Sequence, residues 1–126
     1  GGIVGSTVAA LDARPETLLA WLGPAISQSA FEVGDDVRDL FLAGIENAAA
    51  FFAPNSNDRW QADLVGLGRL YLAAAGVEKV FGGEYCTFGD PARFFSYRRD
   101  GQCGRMATFI FRPEGVPAGG KGKKSA

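Results

Sequence analysis

The stretch Gln61-Ala62-Asp63-Leu64-Val65-Gly66-Leu67-Gly68-Arg69-Leu70-Tyr71-Leu72-Ala73-Ala74-Ala75-Gly76-Val77-Glu78-Lys79-Val80-Phe81 decides the fold class, because its two ends read differently. Leu64, Leu67, Leu70, Tyr71 and Ala74 fall on one face of a helix over Gln61 to Ala75, with Gly76 as its stop. Val77 to Phe81 then reads as a strand broken by Gly82-Gly83. A helix followed at once by a strand points to an α/β chain.

Working outward, Ile3, Val4, Thr7, Val8 and Leu11 share a helical face over residues 3–12. Pro15-Glu16-Thr17 suits a short turn, and Leu18 to Leu22 reads as a buried strand stopped by Gly23-Pro24. Residues 23–34 then form a loop. From Asp35 the pattern is helical again, with Val37, Leu40, Phe41 and Gly44 in phase and acidic residues at the start. Glu46 to Phe52 reads as a second short helix and Pro54 to Asp58 as a surface loop. Downstream, Phe94 to Arg98 and Met106 to Phe111 read as strands, the last apolar on both faces and so covered on both. The expected architecture is α/β, a layered mixed β-sheet with flanking helices over residues 1–112, followed by a disordered basic tail over 113–126.

The 126 residues are 47% apolar and 21% charged, the balance of one globular domain. Apolar runs are short, such as Ala48 to Ala53, far from the ~20 residues of a bilayer-spanning helix. Residues 112–126 hold Arg112, Lys121, Lys123 and Lys124 against Glu114, so of 13 basic and 14 acidic residues 9 and 13 remain in the body. That acidic body argues against nucleic-acid binding, whose affinity comes largely from neutralising phosphates. With His absent, no Ser-His-Asp or Cys-His pair and no imidazole metal ligand exists in this chain. Cys86 and Cys103 read as reduced, inert thiols of a cytoplasmic protein, although Arg98, Arg99 and Arg105 keep Cys103 in view as a reactive one. Gly1-Gly2-Ile3-Val4 carries neither an initiator Met nor a signal peptide, and the expectation is a segment of a longer product.

Several motifs carry little chemistry. Gly115 to Lys121 mimics a phosphate loop but lacks the preceding strand and following helix, and Gly66-x-Gly68 sits inside a helix where close packing explains it. Asp35, Asp36 and Glu84 could serve in metal or acid-base work, but carboxylates at helix ends and turns usually only cap or solvate. Two stretches stand out. In Phe94-Phe95-Ser96-Tyr97-Arg98-Arg99-Asp100-Gly101, consecutive arginines on an extended segment point to opposite faces. One can then face a cleft as a rigid fork for phosphate or carboxylate while the other pairs with Asp100 or Glu84, or both serve as structural ion pairs. The loop Trp21 to Gly34 either lines a crevice at a strand end or is a plain connection.

Trp21-Leu22-Gly23-Pro24-Ala25-Ile26 with Phe31-Glu32-Val33-Gly34, Ala73-Ala74-Ala75-Gly76-Val77, Cys86-Thr87, and Phe94 to Gly101 with Gly104-Arg105-Met106-Ala107 together resemble the laccase-domain family. That family was first labelled polyphenol oxidase or multicopper-oxidase-like, and later purine nucleoside phosphorylase with adenosine deaminase activity. In order and spacing the segments resemble its C-terminal half. The resemblance implies a cytoplasmic enzyme of purine nucleosides (adenosine, inosine, methylthioadenosine) in which phosphate attacks the ribose anomeric carbon and releases the base. It also implies hydrolytic deamination of adenosine, for which zinc activating water is suited. The metal, zinc or in the older label copper, is implied to sit on two His and one Cys of the N-terminal half, so no metal ligand and no catalytic residue is assigned here. The substrate or phosphate contact falls on Arg98, with Arg99 second and Ser96 as a hydrogen-bond donor.

Two readings compete: the C-terminal half of a phosphorylase, active only with its N-terminal half, and a non-catalytic truncated module for binding or assembly. Copper-dependent phenol oxidation fares poorly without His. The first reading implies exposed apolar surface on the isolated chain, and hence dimerisation or aggregation. It also sets an expectation for intact mass. Denaturing mass spectrometry of the protein from its native source should give roughly twice 13.3 kDa, whereas a mass near 13.3 kDa favours the non-catalytic module.

Overall fold

A computed structural model describes residues 2–107. The elements run α1 (Ile3–Ala10), β1 (Leu19–Leu22), β2 (Glu32–Val33), α2 (Asp35–Gly44), β3 (Phe52–Pro54), β4 (Trp60–Ala62), α3 (Leu64–Ala74), β5 (Lys79–Gly82) and α4 (Tyr97–Asp100). Single 3-10 turns lie at Pro15–Thr17, Gln28–Ala30 and Ala48–Phe51. The architecture is mixed α/β. Among the described residues, β1 and β5 pair in parallel, while β2, β4 and β3 form a separate antiparallel sheet with β4 in the middle.

Helix α3 is held where its stripe demands. Leu67 is fully buried with Val33, Ala48, Phe52 and Ala62, and Phe41, Phe51 and Leu70 pack around them. Asp63 joins sheet to helix: its amide donates to the Phe51 carbonyl at 2.8 Å, and its carboxylate accepts from Gly66 at 2.9 Å. This side-chain cap begins the helix three positions later than the apolar pattern suggests. Gly76 ends the element with φ +91, a conformation open to glycine at little cost.

Several expectations are corrected. Gln61 lies in β4, because the Asp63 cap fixes the helix start after it. The loop over 23–34 contains a 3-10 turn and β2, and the short helix over 46–52 is a single 3-10 turn running into β3. Leu18 to Leu22 does contain a strand, but it is not buried: Leu19 is 69% and Trp21 42% exposed. Phe94 to Arg98 is not a strand. Ser96 caps a short helix by accepting the Arg99 amide at 3.3 Å, so the two arginines lie on a helical turn. Met106 and Ala107 have no regular structure, and the rest of the strand over 106–111 lies outside the described residues, as do the tail and its phosphate-loop mimic.

The two glycines of α3 differ in what they allow. A Cβ at Gly66 would strike the Phe51 ring and the Asp63 carboxylate, whereas one at Gly68 would meet only Leu22 Cδ2 at 3.6 Å. In urea unfolding, Gly66→Ala should destabilise by about 1–3 kcal/mol despite its better helix propensity. Gly68→Ala should be neutral or stabilising by up to about 1 kcal/mol. Equal effects at the two positions would contradict this packing account.

Candidate functional site

The parallel ladder does not end with β1 and β5. Beyond them Ala25 and Cys86 form a further parallel bridge, with Ala25 donating to the Tyr85 carbonyl at 3.3 Å and Thr87 to the Ala25 carbonyl at 3.0 Å. This extension sets the loop over 23–34 against residues 85–101. The two stretches singled out in the sequence thus meet in space.

Arg98 spans their junction. Its Nη1 donates to the Glu32 carbonyl at 2.9 Å and its guanidinium lies 5.1 Å from the Phe31 ring centroid. Among the described residues no carboxylate pairs with it, so donors remain on its fork for an anionic or carbonyl-bearing ligand. Arg99 is occupied differently. Nη1 donates to the Thr87 and Phe88 carbonyls, Nη2 to the Phe94 carbonyl and Asp100, and Nε to Asp100, at 2.7 to 3.1 Å. All of its N–H groups are thereby engaged. The hydrogen-bonded Asp100 carboxylate raises the affinity of Arg99 for its proton, and Arg99 in return holds Asp100 below the usual carboxylate range. Ser96 is buried, and its oxygen caps α4 while its hydroxyl hydrogen can still donate.

Next to Arg98 lies a polar cluster that local sequence does not announce. Glu32 accepts from Asn55 at 2.8 Å and Asn57 at 2.9 Å and pairs with Arg59 at 3.2 Å, while Asn55 also donates to Gln61. The Asn57 hydrogen bond chiefly holds the Glu32 carboxyl low, aided by Asn55 and by the charges of Arg59 and Arg98, against an opposing effect of burial. These residues come from β2, β4 and the β3–β4 turn, and only strand pairing brings them together.

Cys86 is the second residue whose setting appears only in three dimensions. Its Sγ accepts backbone amides from Ser27 and Gly89, each at 3.3 Å. Burial pushes the thiol up, but Ser27 through its hydroxyl and amide, with the Gly89 and Phe88 amides, outweighs it and brings the thiol down to about 7. Cys103 is likewise a free, half-buried thiol.

A groove of about 360 Å³ opens at the end of β1 between α1, α2 and α3, lined by Leu22, Gly23, Ala25, Phe41 and Tyr71 among others. It includes none of Arg98, Arg99 or Ser96. No group of three His, Cys, Asp or Glu side chains among the described residues could hold a metal ion, so these residues do not fit a metal centre. No described helix is long and apolar enough to cross a membrane.

Comparison with known proteins gives consistent findings. The family model described as multi-copper polyphenol oxidoreductase laccase matches residues 1–113. A protein named purine nucleoside phosphorylase YfiH from Escherichia coli is 48% identical over 110 residues, 87% of this chain and 45% of that protein. A purine nucleoside phosphorylase of Pseudomonas aeruginosa is 47% identical over 111 residues, 87% of this chain and 46% of its own. A solved Neisseria meningitidis protein superposes with a TM-score of 0.77 at 46% identity, covering 80% of this chain and 42% of that one. The chain thus spans less than half the length of these relatives.

The setting of Cys86 predicts a pH profile. With Cys103→Ser removing the other thiol, alkylation of Cys86 should rise with pH as the thiolate forms, with a midpoint of about 7. A midpoint near the ordinary ~8.5 would remove the claim that the amides hold the thiolate. The unfolded thiol keeps its proton up to that ordinary value, so fold stability should also rise with pH across this window.

Proposed function

Because this chain belongs to the multi-copper polyphenol oxidoreductase laccase family, we propose that it forms the C-terminal half of a purine nucleoside phosphorylase. The reaction is attack of phosphate on the ribose anomeric carbon with departure of the purine base, with deamination of adenosine as a related hydrolysis. The observation carrying this reading is the 48% identity, over 87% of the chain, to a protein named for that activity. The match over 1–113 supports a domain boundary near residue 112, with 113–126 as a basic tail outside it.

In this reading the chain works as one part of a larger enzyme. The family description names copper, and the metal, zinc in our reading, belongs to residues outside this chain, in keeping with the absence of His. The substrates are a purine nucleoside and phosphate, and the compartment is the cytoplasm. Arg98 supplies the electrostatic contact to phosphate or nucleoside: its guanidinium is fixed by Phe31 and the Glu32 carbonyl yet keeps free donors. Arg99 stands second. Its bonds to the carbonyls of residues 87, 88 and 94 hold the loop that carries Arg98 and Cys86. Ser96 supports the same turn and can offer its hydroxyl hydrogen.

The test uses the complete enzyme with inosine or adenosine and phosphate, following release of free base and, separately, of ammonia. Arg98→Ala should lower kcat/KM by at least about tenfold, the scale of one charge-assisted hydrogen bond, with Arg98→Lys retaining part of it. Unchanged phosphorolysis in Arg98→Ala would remove Arg98 from the site. Absence of phosphorolysis in the complete wild-type protein would remove the function.

A further inference from the structure

The parallel pair β1/β5 is an unfinished sheet. Parallel strands occur with both faces covered, and two strands alone are marginal in water. Its two outer edges are not equivalent. On β5, Arg69 of α3 donates to the Val80 and Gly82 carbonyls at 3.2 and 3.0 Å, so that edge is closed by a side chain. On β1, the Leu22 carbonyl accepts from Gly83 and therefore faces β5. Peptide groups alternate along a strand, so those of Leu19 and Trp21 face away from β5. Among the described residues no strand other than β5 pairs with β1. The side chains of the same two residues are 69% and 42% exposed. Edge and apolar face thus coincide on one short segment.

What covers it is constrained by length. The solved Neisseria meningitidis relative shares this fold over 42% of its chain, so more than half of that chain lies outside the match. A second copy of this chain would meet the same two residues and still leave that larger part unplaced. We propose that the outer edge of β1, with the face formed by Leu19 and Trp21, is the seam at which the remaining half of the domain adds a strand and an apolar cover. The inference rests on the reading above that a complementary half lies outside this chain. The occupant is an extended segment that pairs with the Leu19 and Trp21 peptide groups and lays apolar side chains over their own.

The experiment co-expresses the 126-residue chain with the portion of the Escherichia coli relative outside its match and follows amide hydrogen exchange. In the free chain the Leu19 and Trp21 amides should exchange at least ~100-fold faster than those of Ala20 and Leu22, which face β5. In the complex all four should be slow. Leu19→Pro removes an outward N–H, and Leu19→Asp keeps it but charges the face. Each should weaken association at least ~10-fold while the Ala20 and Leu22 amides stay protected, showing that β1/β5 persists. In the intact Escherichia coli relative, the amides aligned with Leu19 and Trp21 should be as slow as their neighbours. Fast exchange there overturns the proposal, as does a complex that leaves these amides fast. Dimerisation of the free chain that protects them equally also overturns it, by assigning the seam to a second copy. A complex with protected amides but no phosphorolysis would support the seam and count against the activity.

Discussion

The register that sets Leu19 beside Lys79 and Leu22 beside Gly82 governs the rest of the molecule. A parallel pair needs a long crossover, and here the crossover contains β2, β3, β4, α2 and α3 with the buried cluster around Leu67. The contact at its end is close: a Cβ on Gly82, at φ +86, would collide with the Leu22 carbonyl. Past that point the ladder resumes between Ala25 and Cys86. Everything at the candidate site, from the amides around Cys86 to the reach of Arg98 onto Glu32, follows from that resumed pairing.

Helices α2 and α3 were legible because each is long enough for its apolar stripe to repeat. Strands β3 and β4 were not, since Phe52–Pro54 and Trp60–Ala62 are too short to show alternation. The error at Gln61 came from reading apolar spacing without the Asp63 cap, although an Asp preceding the stripe was visible. Phe94-Phe95 suggested a strand by its aromatics, yet Ser96 three positions before Arg99 is a helix-cap spacing, and the cap prevailed. The exposure of Leu19 and Trp21 has a different cause: apolar residues in a strand suggested burial, and among the described residues nothing covers them.

The same contrast applies to the two arginines. Adjacent positions on a helical turn diverge by about 100°, less than the opposite faces of a strand but enough to send the neighbouring guanidiniums to different partners. One reaches back across the fold to Phe31 and Glu32, and the other turns onto its own loop. Sequence could identify the pair but not assign the partners, because the carbonyls of residues 87, 88 and 94 become acceptors only once that loop has closed. The Glu32 cluster is similar. Its amides lie in a turn that looks like ordinary solvated loop until β2 and β4 pair.

Asp63 carries one further consequence. Its amide is tied to Phe51, its carbonyl accepts from Leu67 and its carboxylate holds the Gly66 amide. The rotational phase of α3 is therefore locked to the antiparallel sheet through one residue. Inserting or deleting a single position between Ala62 and Leu64 would turn the helix by a quarter of a revolution or more, carrying Leu67 out of the interior and Arg69 away from β5.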